Sequence, residues 1–341
     1  MNIVFYTNQI CERGTEVALF GYAKGNENVL KNHSFVIVPK DKIYDADMLN
    51  KFQSNFTTCL YESKSQINDF IASNKIDLIY KITDGETEEE VYNKIPHFLH
   101  CVFSTKNRQG TFYCPISQFI NKWYGTDYPV LPHIIKKFPG NSRSLRETLG
   151  IPIDAVVFGG YGGQMQFNIP FVHDVIVETV QRSKNIYFLF MNFKPFANND
   201  RIIFLEKSTN IEYKEMFINT CDAMIHARKD GETFGLAVAE FSVKNKPVIT
   251  WDPFKSIAGN VKFRLRSMKR YLSKNQYLYA RAHLDFLGKK AILYQSEKDL
   301  LKILLNFNTL PENSAGINYD CYSERFSEER VMRQFEAIIS K

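Results

Sequence analysis

The chain opens on an apolar run, Met1 to Thr7 (MNIVFYT), then the polar stretch Asn8 to Gly14, then Thr15 to Ala23 with helical apolar spacing. Short runs of β-branched and aromatic residues between polar turns are the pattern of buried strands. Apolar residues at three- and four-residue intervals are that of a helix. Thr15 is placed to be the N-cap of this helix. Ser34 to Pro39 (SFVIVP) supplies a second strand, so the order strand, loop, helix, strand is that of a doubly wound parallel sheet. The alternation continues with a helix over Gln66 to Ser73, a strand over Ile76 to Ile82, an acidic exposed segment over Glu86 to Lys94 and a strand over Phe98 to Phe103. Two more apolar runs follow, Phe112 to Ser117 and Tyr128 to Ile135. Five or six strands with interleaved helices make a domain of roughly 140 residues.

Lys136 to Arg146 (KKFPGNSRSLR) interrupts the pattern with Pro139, Gly140, Asn141 and Ser142 and reads as a linker. The pattern then restarts. Asp154 to Gly160 is a strand, Phe171 to Arg182 a helix, Asn185 to Asn192 and Ile202 to Leu205 strands, Tyr213 to Thr220 a helix and Ala223 to Ala227 a strand. The expected fold class is α/β, with two Rossmann-like domains facing each other across a cleft. Residues 1–140 form one domain and residues 141–324 the other.

Composition narrows the class. With 341 residues and 44% hydrophobic content, two domains of ordinary size are expected. Neither a charged-then-apolar leader at Met1 nor an apolar run of membrane-spanning length is present. Cys11, Cys59, Cys101, Cys114, Cys221 and Cys321 are scattered, none at zinc-knuckle or redox-pair spacing, so buried free thiols in a reducing, cytoplasmic compartment are expected. The sequons at Asn32 and Asn55 then carry no meaning. A net charge of +6 is modest and does not indicate a nucleic-acid partner. It is uneven, however: Lys262 to Lys290 holds nine Lys/Arg and the single acid Asp285. Such a basic, aromatic segment suits either a solvated helix face or peripheral contact with phosphates or anionic lipid.

Candidate chemistry concentrates in Asp222 to Asp252, DAMIHARKDGETFGLAVAEFSVKNKPVITWD. It reads as a strand, a short loop carrying Glu232, a glycine-bearing turn into a helix that carries Glu240, and a second strand. A loop-to-helix turn between strands presents N–H groups and a helix dipole to an anion. Gly159, Gly160, Gly162 and Gly163 follow G-G-x-G-G rather than the dinucleotide fingerprint, yet leave backbone open to a phosphate. Ligands of such sheets bind beyond the strands' carboxyl ends. Gly162, Gly163, Gln164, Met191 and Asn192 are therefore donor-side candidates, and His100 is held beside the reading of a core histidine. Gly14 suits either close backbone approach to a ligand or a helix-start turn. Arg228 is a cation for phosphates or a surface arginine. The D-x-D triplet Asp45-Ala46-Asp47 follows a Lys/Tyr loop instead of ending a hydrophobic strand, which argues against a metal site.

Glu232 to Phe241 (ETFGLAVAEF), followed by Lys246-Pro247-Val248-Ile249, resembles the E-x7-E signature of retaining GT-B glycosyltransferases of the group 1 (family 4) type. The inner glycine and leucine and the flanking strands make the likeness specific. Leu145 to Gly160 is similar to the opening of that family's second domain, and Ser323 to Ile339 to its final helices, which implies that the C-terminal helix at 325–341 crosses back to join the first domain. The resemblance implies transfer of a sugar from a nucleotide diphosphate donor with retention, without cofactor or metal, to a glycan, lipid-linked or protein-linked acceptor. Glu232 would accept from donor-sugar hydroxyls, Thr233, Phe234, Gly235 and Leu236 would offer backbone N–H groups to sugar and diphosphate, and Glu240 would hold the ribose. His100 would stand against the sugar as a catalytic-site residue with Glu232, and Gly14 near the diphosphate. The family's usual arginine and lysine after the glycine strand are replaced here by Gly160 and by Gln164 or Asn168. That departure keeps a non-catalytic nucleotide-sugar-binding protein open as an alternative, beside a nucleotide-sugar epimerase.

Overall fold

The computed structural model describes residues 1–11, 14–86, 95–253, 279–313 and 316–341. The chain divides into two compact units, residues 1–136 with 324–341, and residues 137–323.

The first unit runs β1 (Asn2–Tyr6), α1 (Gly14–Asn28), β2 (His33–Pro39), α2 (Ala46–Gln53), β3 (Thr57–Tyr61), α3 (Lys64–Ser73), β4 (Leu78–Thr83), β5 (His97–Cys101), β6 (Phe112–Pro115) and α4 (Gln118–Tyr124). All six strands are parallel, in the order β3-β2-β1-β4-β5-β6. Strand order reverses beside β1, the apolar run that begins the sequence. Val4 and Tyr6 pack on one sheet face with Ile37, Ile67, Ile71 and Ile79. Phe5 meets Tyr80, and Tyr80 meets Tyr22 and Phe98.

Several expectations shift. The run Tyr128 to Ile135 joins no strand; its Leu131 N–H donates to Pro115 O and its Ile135 N–H to Phe326 O. It is apolar because it is buried, a property that extended coil shares with strands. Helix α1 begins at Gly14, so Thr15 lies inside it, its hydroxyl donating to Glu16 Oε2 at 2.7 Å. The D-x-D triplet starts a helix: Asp45 caps α2, accepting from the Met48 N–H at 2.9 Å. Among the described residues no group of His, Cys, Asp and Glu could hold a metal ion.

The second unit runs β7 (Val156–Tyr161), α5 (Pro170–Arg182), β8 (Ile186–Met191), β9 (Ile202–Leu205), α6 (Ile211–Thr220), β10 (Ala223–His226), β11 (Gly231–Glu232), α7 (Leu236–Val243), β12 (Val248–Trp251), β13 (Ala280–Arg281), α8 (Ala282–Leu287), β14 (Ala291–Tyr294) and α9 (Glu297–Leu305). Its main sheet is again parallel, ordered β14-β12-β10-β7-β8-β9. The order reverses between β7 and β10, so the crevice at their carboxyl ends is where the topology leaves room for a ligand. Two of the four glycines are explained by packing in β7. A Cβ on Gly159 would lie 2.2 Å from Cys221 Sγ, and one on Gly160 2.8 Å from Ile225 O.

The last helix, α10 (Glu328–Ile339), belongs to the first unit. It buries Val331, Met332, Phe335 and Ile338, one stripe at helical spacing. Phe335 stands edge-on to Tyr80 and Phe98, with centroids 5.7 and 5.0 Å away. All six cysteines are free, four of them buried. No helix among the described residues is long and apolar enough to cross a membrane. Most of the basic segment, residues 262–278, lies outside the described residues, as does most of the acidic segment at 87–94. The described remainder of the basic segment turns its aromatics inward: Tyr279 is buried and Phe286 meets Phe234.

Candidate functional site

The site is built where β10 ends. Four buried residues, Ala223 to His226, bring the chain to the sheet's carboxyl edge, and Arg228 to Asp230 turn it into the two-residue strand β11. Gly231 makes this possible. Its φ is +67°, and a Cβ there would sit 2.1 Å from Ala280 O, so only glycine lets β11 pair with β13. Gly235, at φ +86°, then starts α7. The first backbone N–H groups of a helix have no acceptor within it, and here they come a few residues after Glu232.

Glu232 is held at both oxygens. Arg228 Nη1 donates to Oε2 at 2.8 Å, and His226 Nε2 lies 3.4 Å from Oε1. Its side chain retains 18% exposure, so it is partly open. Burial alone would raise the pKa of this carboxyl. The Arg228 charge and the His226 contact outweigh burial and bring it down to about 2. The group is an anion at neutral pH, with lone pairs left to accept hydroxyl hydrogens. Arg228 is thus an ion-pair partner of Glu232, and Glu232 in turn raises its pKa.

One turn further along, Glu240 receives the Tyr161 hydroxyl and lies 3.2 Å from Lys214 Nζ. Lys214 also stands 5.3 Å from the centre of the Tyr161 ring. Sequence reading placed a helix over Tyr213 to Thr220 without singling out Lys214. Lys214 lies on the side of α6 that carries Phe217, both against the Tyr161 ring, and its meeting with Glu240, twenty-six residues on, is set by packing between two helices. The unit therefore carries two cations, Arg228 and Lys214, beside the two glutamates, although neither follows the glycine strand.

The other expected donor-side residues lie around the same edge. Gly162 and Gly163 form a turn closed by Gln166, whose Oε1 accepts from the Gly163 N–H at 2.9 Å. Gln164 is exposed, and Asn192 Nδ2 donates to Gly162 O at 2.8 Å. Asn168 ties this turn to the opposing loop, with its N–H on Ala227 O and its Oδ1 accepting from the Lys229 N–H. Met191 is buried. Phe234 is buried against Phe286 and Tyr322, Thr233 is buried, and Leu236 is partly exposed.

The sequence matches no protein-family model and no curated protein. The backbone is nonetheless similar to solved structures along its whole length. HepE from Anabaena, in complex with UDP-glucose, superposes with a TM-score of 0.70 at 14% identity over 100% of both chains. WaaG, a glycosyltransferase involved in lipopolysaccharide biosynthesis, gives 0.62 at 11% identity over 98% of each chain. A protein from Listeria monocytogenes assigned as a UDP-N-acetylglucosamine 2-epimerase gives 0.60 at 12%, over 99% of this chain and 95% of that one. The fold is GT-B.

In this GT-B chain the first-unit candidates fare differently from those of the second unit. His100 is fully buried in β5, its Nδ1 is 2.6 Å from the Tyr80 hydroxyl, and its Nε2 is 2.6 Å from Leu131 O. Burial pushes its pKa well down, with His133 adding to the effect. Both ring nitrogens are engaged within the first unit, the arrangement of a core histidine. Gly14 is exposed at the first position of α1, the GT-B helix that starts at the carboxyl edge of the first sheet.

Proposed function

We propose that the protein is a retaining, metal-independent glycosyltransferase of the group 1 (family 4) type that takes a nucleotide diphosphate sugar as donor. The observation that carries this reading is Glu232, an ionised, partly open carboxylate placed a few residues before the N-terminus of α7 and beside the point where strand order reverses. A carboxylate can accept from the hydroxyls of a sugar, and a helix N-terminus suits the diphosphate. Arg228 and Lys214 supply positive charge where a divalent ion would otherwise balance the leaving group. Glu240, fixed by Tyr161 and Lys214, accepts from the ribose hydroxyls. Gly162, Gly163, Gln164, Asn192 and the N–H groups of Thr233 to Leu236 line the donor.

In the reaction, the bond from the anomeric carbon to the diphosphate oxygen breaks, the acceptor hydroxyl oxygen bonds to the same face, and its proton passes to the departing diphosphate. The helix N-terminus and the cations hold the departing diphosphate, whose charge stabilises the oxocarbenium-like transition state. The likenesses to HepE with UDP-glucose and to WaaG support a uridine donor. The acceptor is a glycan, free or linked to lipid or protein. The basic segment at 262–290 favours an anionic one, and a cytoplasmic protein with peripheral membrane contact follows from it.

The test is a thermal-shift panel of nucleotide-sugars followed by a turnover assay on whichever donor binds. Stabilisation by UDP and a UDP-sugar with transfer or slow hydrolysis is expected. Tight UDP binding with no turnover would replace the transferase by a binding protein, and a changed sugar without transfer would replace it by the epimerase that the Listeria likeness offers.

A further inference from the structure

Beneath Glu232 lies a set of buried polar groups for which donor binding has no use. His226 and Thr250 are register partners at the carboxyl ends of β10 and β12. They stand on the face away from Ala223, Ile225 and Ile249, which belong to the main apolar cluster. His226 Nδ1 is 2.9 Å from Thr250 Oγ1, and Thr250 Oγ1 is 3.2 Å from His283 Nε2 of α8. The Tyr279 hydroxyl, which donates to Trp251 O, lies 3.5 Å from the same His283 nitrogen. The Tyr294 hydroxyl donates to His226 O at 3.0 Å and fixes the backbone at that point. His226 is 6% exposed, and Thr250 and His283 are fully buried. Polar groups buried at the tips of two apolar strands are costly unless each finds a partner, so their arrangement has direction.

This inference rests on the donor reading above. We propose that His226 is a positioning residue, locked by Thr250 and His283 so that its Nε2–H fixes the Glu232 carboxylate in the orientation that receives the donor sugar. An ionised carboxylate only accepts, so the hydrogen in the contact with Glu232 resides on His226 Nε2. In the neutral ring Nδ1 is then an acceptor, and the Thr250 hydroxyl, able to give one hydrogen and take another, donates to it. Thr250 Oγ1 is held in turn against His283 Nε2. The chain of contacts runs from α8 through β12 and β10 to Glu232. Arg228 holds the other carboxylate oxygen, so rotation of Glu232 is fixed from two sides.

Two measurements test this. In histidine-labelled wild-type protein at neutral pH, nitrogen NMR is expected to show His226 protonated at Nε2, with its Nδ1 resonance shifted in Thr250→Val. A ring without hydrogen on Nε2, or one indifferent to Thr250→Val, would overturn the relay. With UDP and UDP-glucose as probes, His226→Phe is expected to lower kcat about tenfold and Thr250→Val about threefold, while the Kd for UDP stays within twofold. His226→Gln, which keeps an N–H near the position of Nε2, recovers part of the loss. A wild-type kcat in His226→Phe would sink the proposal, and so would a parallel loss of UDP affinity, which marks a structural role. Absence of UDP binding and turnover in the wild type would remove the donor reading. The NMR result would still decide whether His226 donates to Glu232.

Discussion

At the scale of single residues, the charge on Glu232 is the quantity that matters. Its folded pKa of about 2 lies below the value near 4.3 of a free glutamate. The stability it contributes is complete above about pH 4.3 and is lost as pH falls towards 2. Buried histidines act earlier. Burial holds His133 down to about 4 and His283 to about 3, with His226 adding to the latter. An unfolded chain takes up these protons from about pH 6.5 downward, so stability due to the neutral rings is full above that value and declines below it. Denaturant titrations at pH 7, 5.5 and 4.5 should therefore show a falling midpoint before Glu232 titrates. The His133 contribution alone is at most about 3 kcal/mol. Glu232→Ala should lower turnover about 10²- to 10³-fold, the loss typical of a donor or acceptor group at a transition state, with the UDP affinity largely kept. Lys214→Ala acts on the other glutamate. It should weaken UDP binding several-fold in calorimetry and shift the Glu232-dependent step little.

At the scale of elements, two glycines shape the turn. Gly231→Ala meets Ala280 O and cannot keep β11 beside β13 without moving the backbone. Gly235→Ala forces a side chain into left-handed φ while bringing its Cβ to 3.3 Å from Glu232 and His283. The strain costs about 1–2 kcal/mol. A Tm lower by several degrees and a turnover loss exceeding that of a distant glycine replacement, such as Gly150→Ala, are expected. The sequence revealed these elements well. The strand of Ile202 to Leu205 coincides with β9, and α3 ends at Ser73 as the apolar spacing indicated. The E-x7-E stretch was legible because glycine, glutamate and apolar positions recur at fixed spacing. Tyr128 to Ile135 misled because burial makes a segment apolar whether or not a neighbour strand accepts its hydrogen bonds. A polar residue ending each of two adjacent apolar strands, His226 and Thr250, was the available signal for the relay.

At the scale of the molecule, the same strand order appears in both sheets, with the first strand of each unit at the reversal. The chain closes by returning α10 to the unit where it began. Gly25 of α1 accommodates this return: a Cβ there would lie 2.7 Å from Met332 Cγ. Phe335→Ala should cost about 3–5 kcal/mol by emptying a space walled by Tyr80 and Phe98. Differential scanning calorimetry would register the change. The long separation between α10 and its partners hides this contact from local pattern.

The sequence by itself determined the alternation of strands and helices, the linker near residue 140 and the two glutamates, one in the loop leading to α7 and one in its body. Each of these depends on period and spacing, which are local properties of the chain. Tertiary structure alone decided which side chains meet. Periodicity gives a residue its face but not its depth or its neighbours, so the partners of His100, Tyr80 and Leu131, were not legible in the sequence. Lys214 and Glu240, or Thr250 and His283, come together because parallel strands and their covering helices juxtapose segments tens of residues apart.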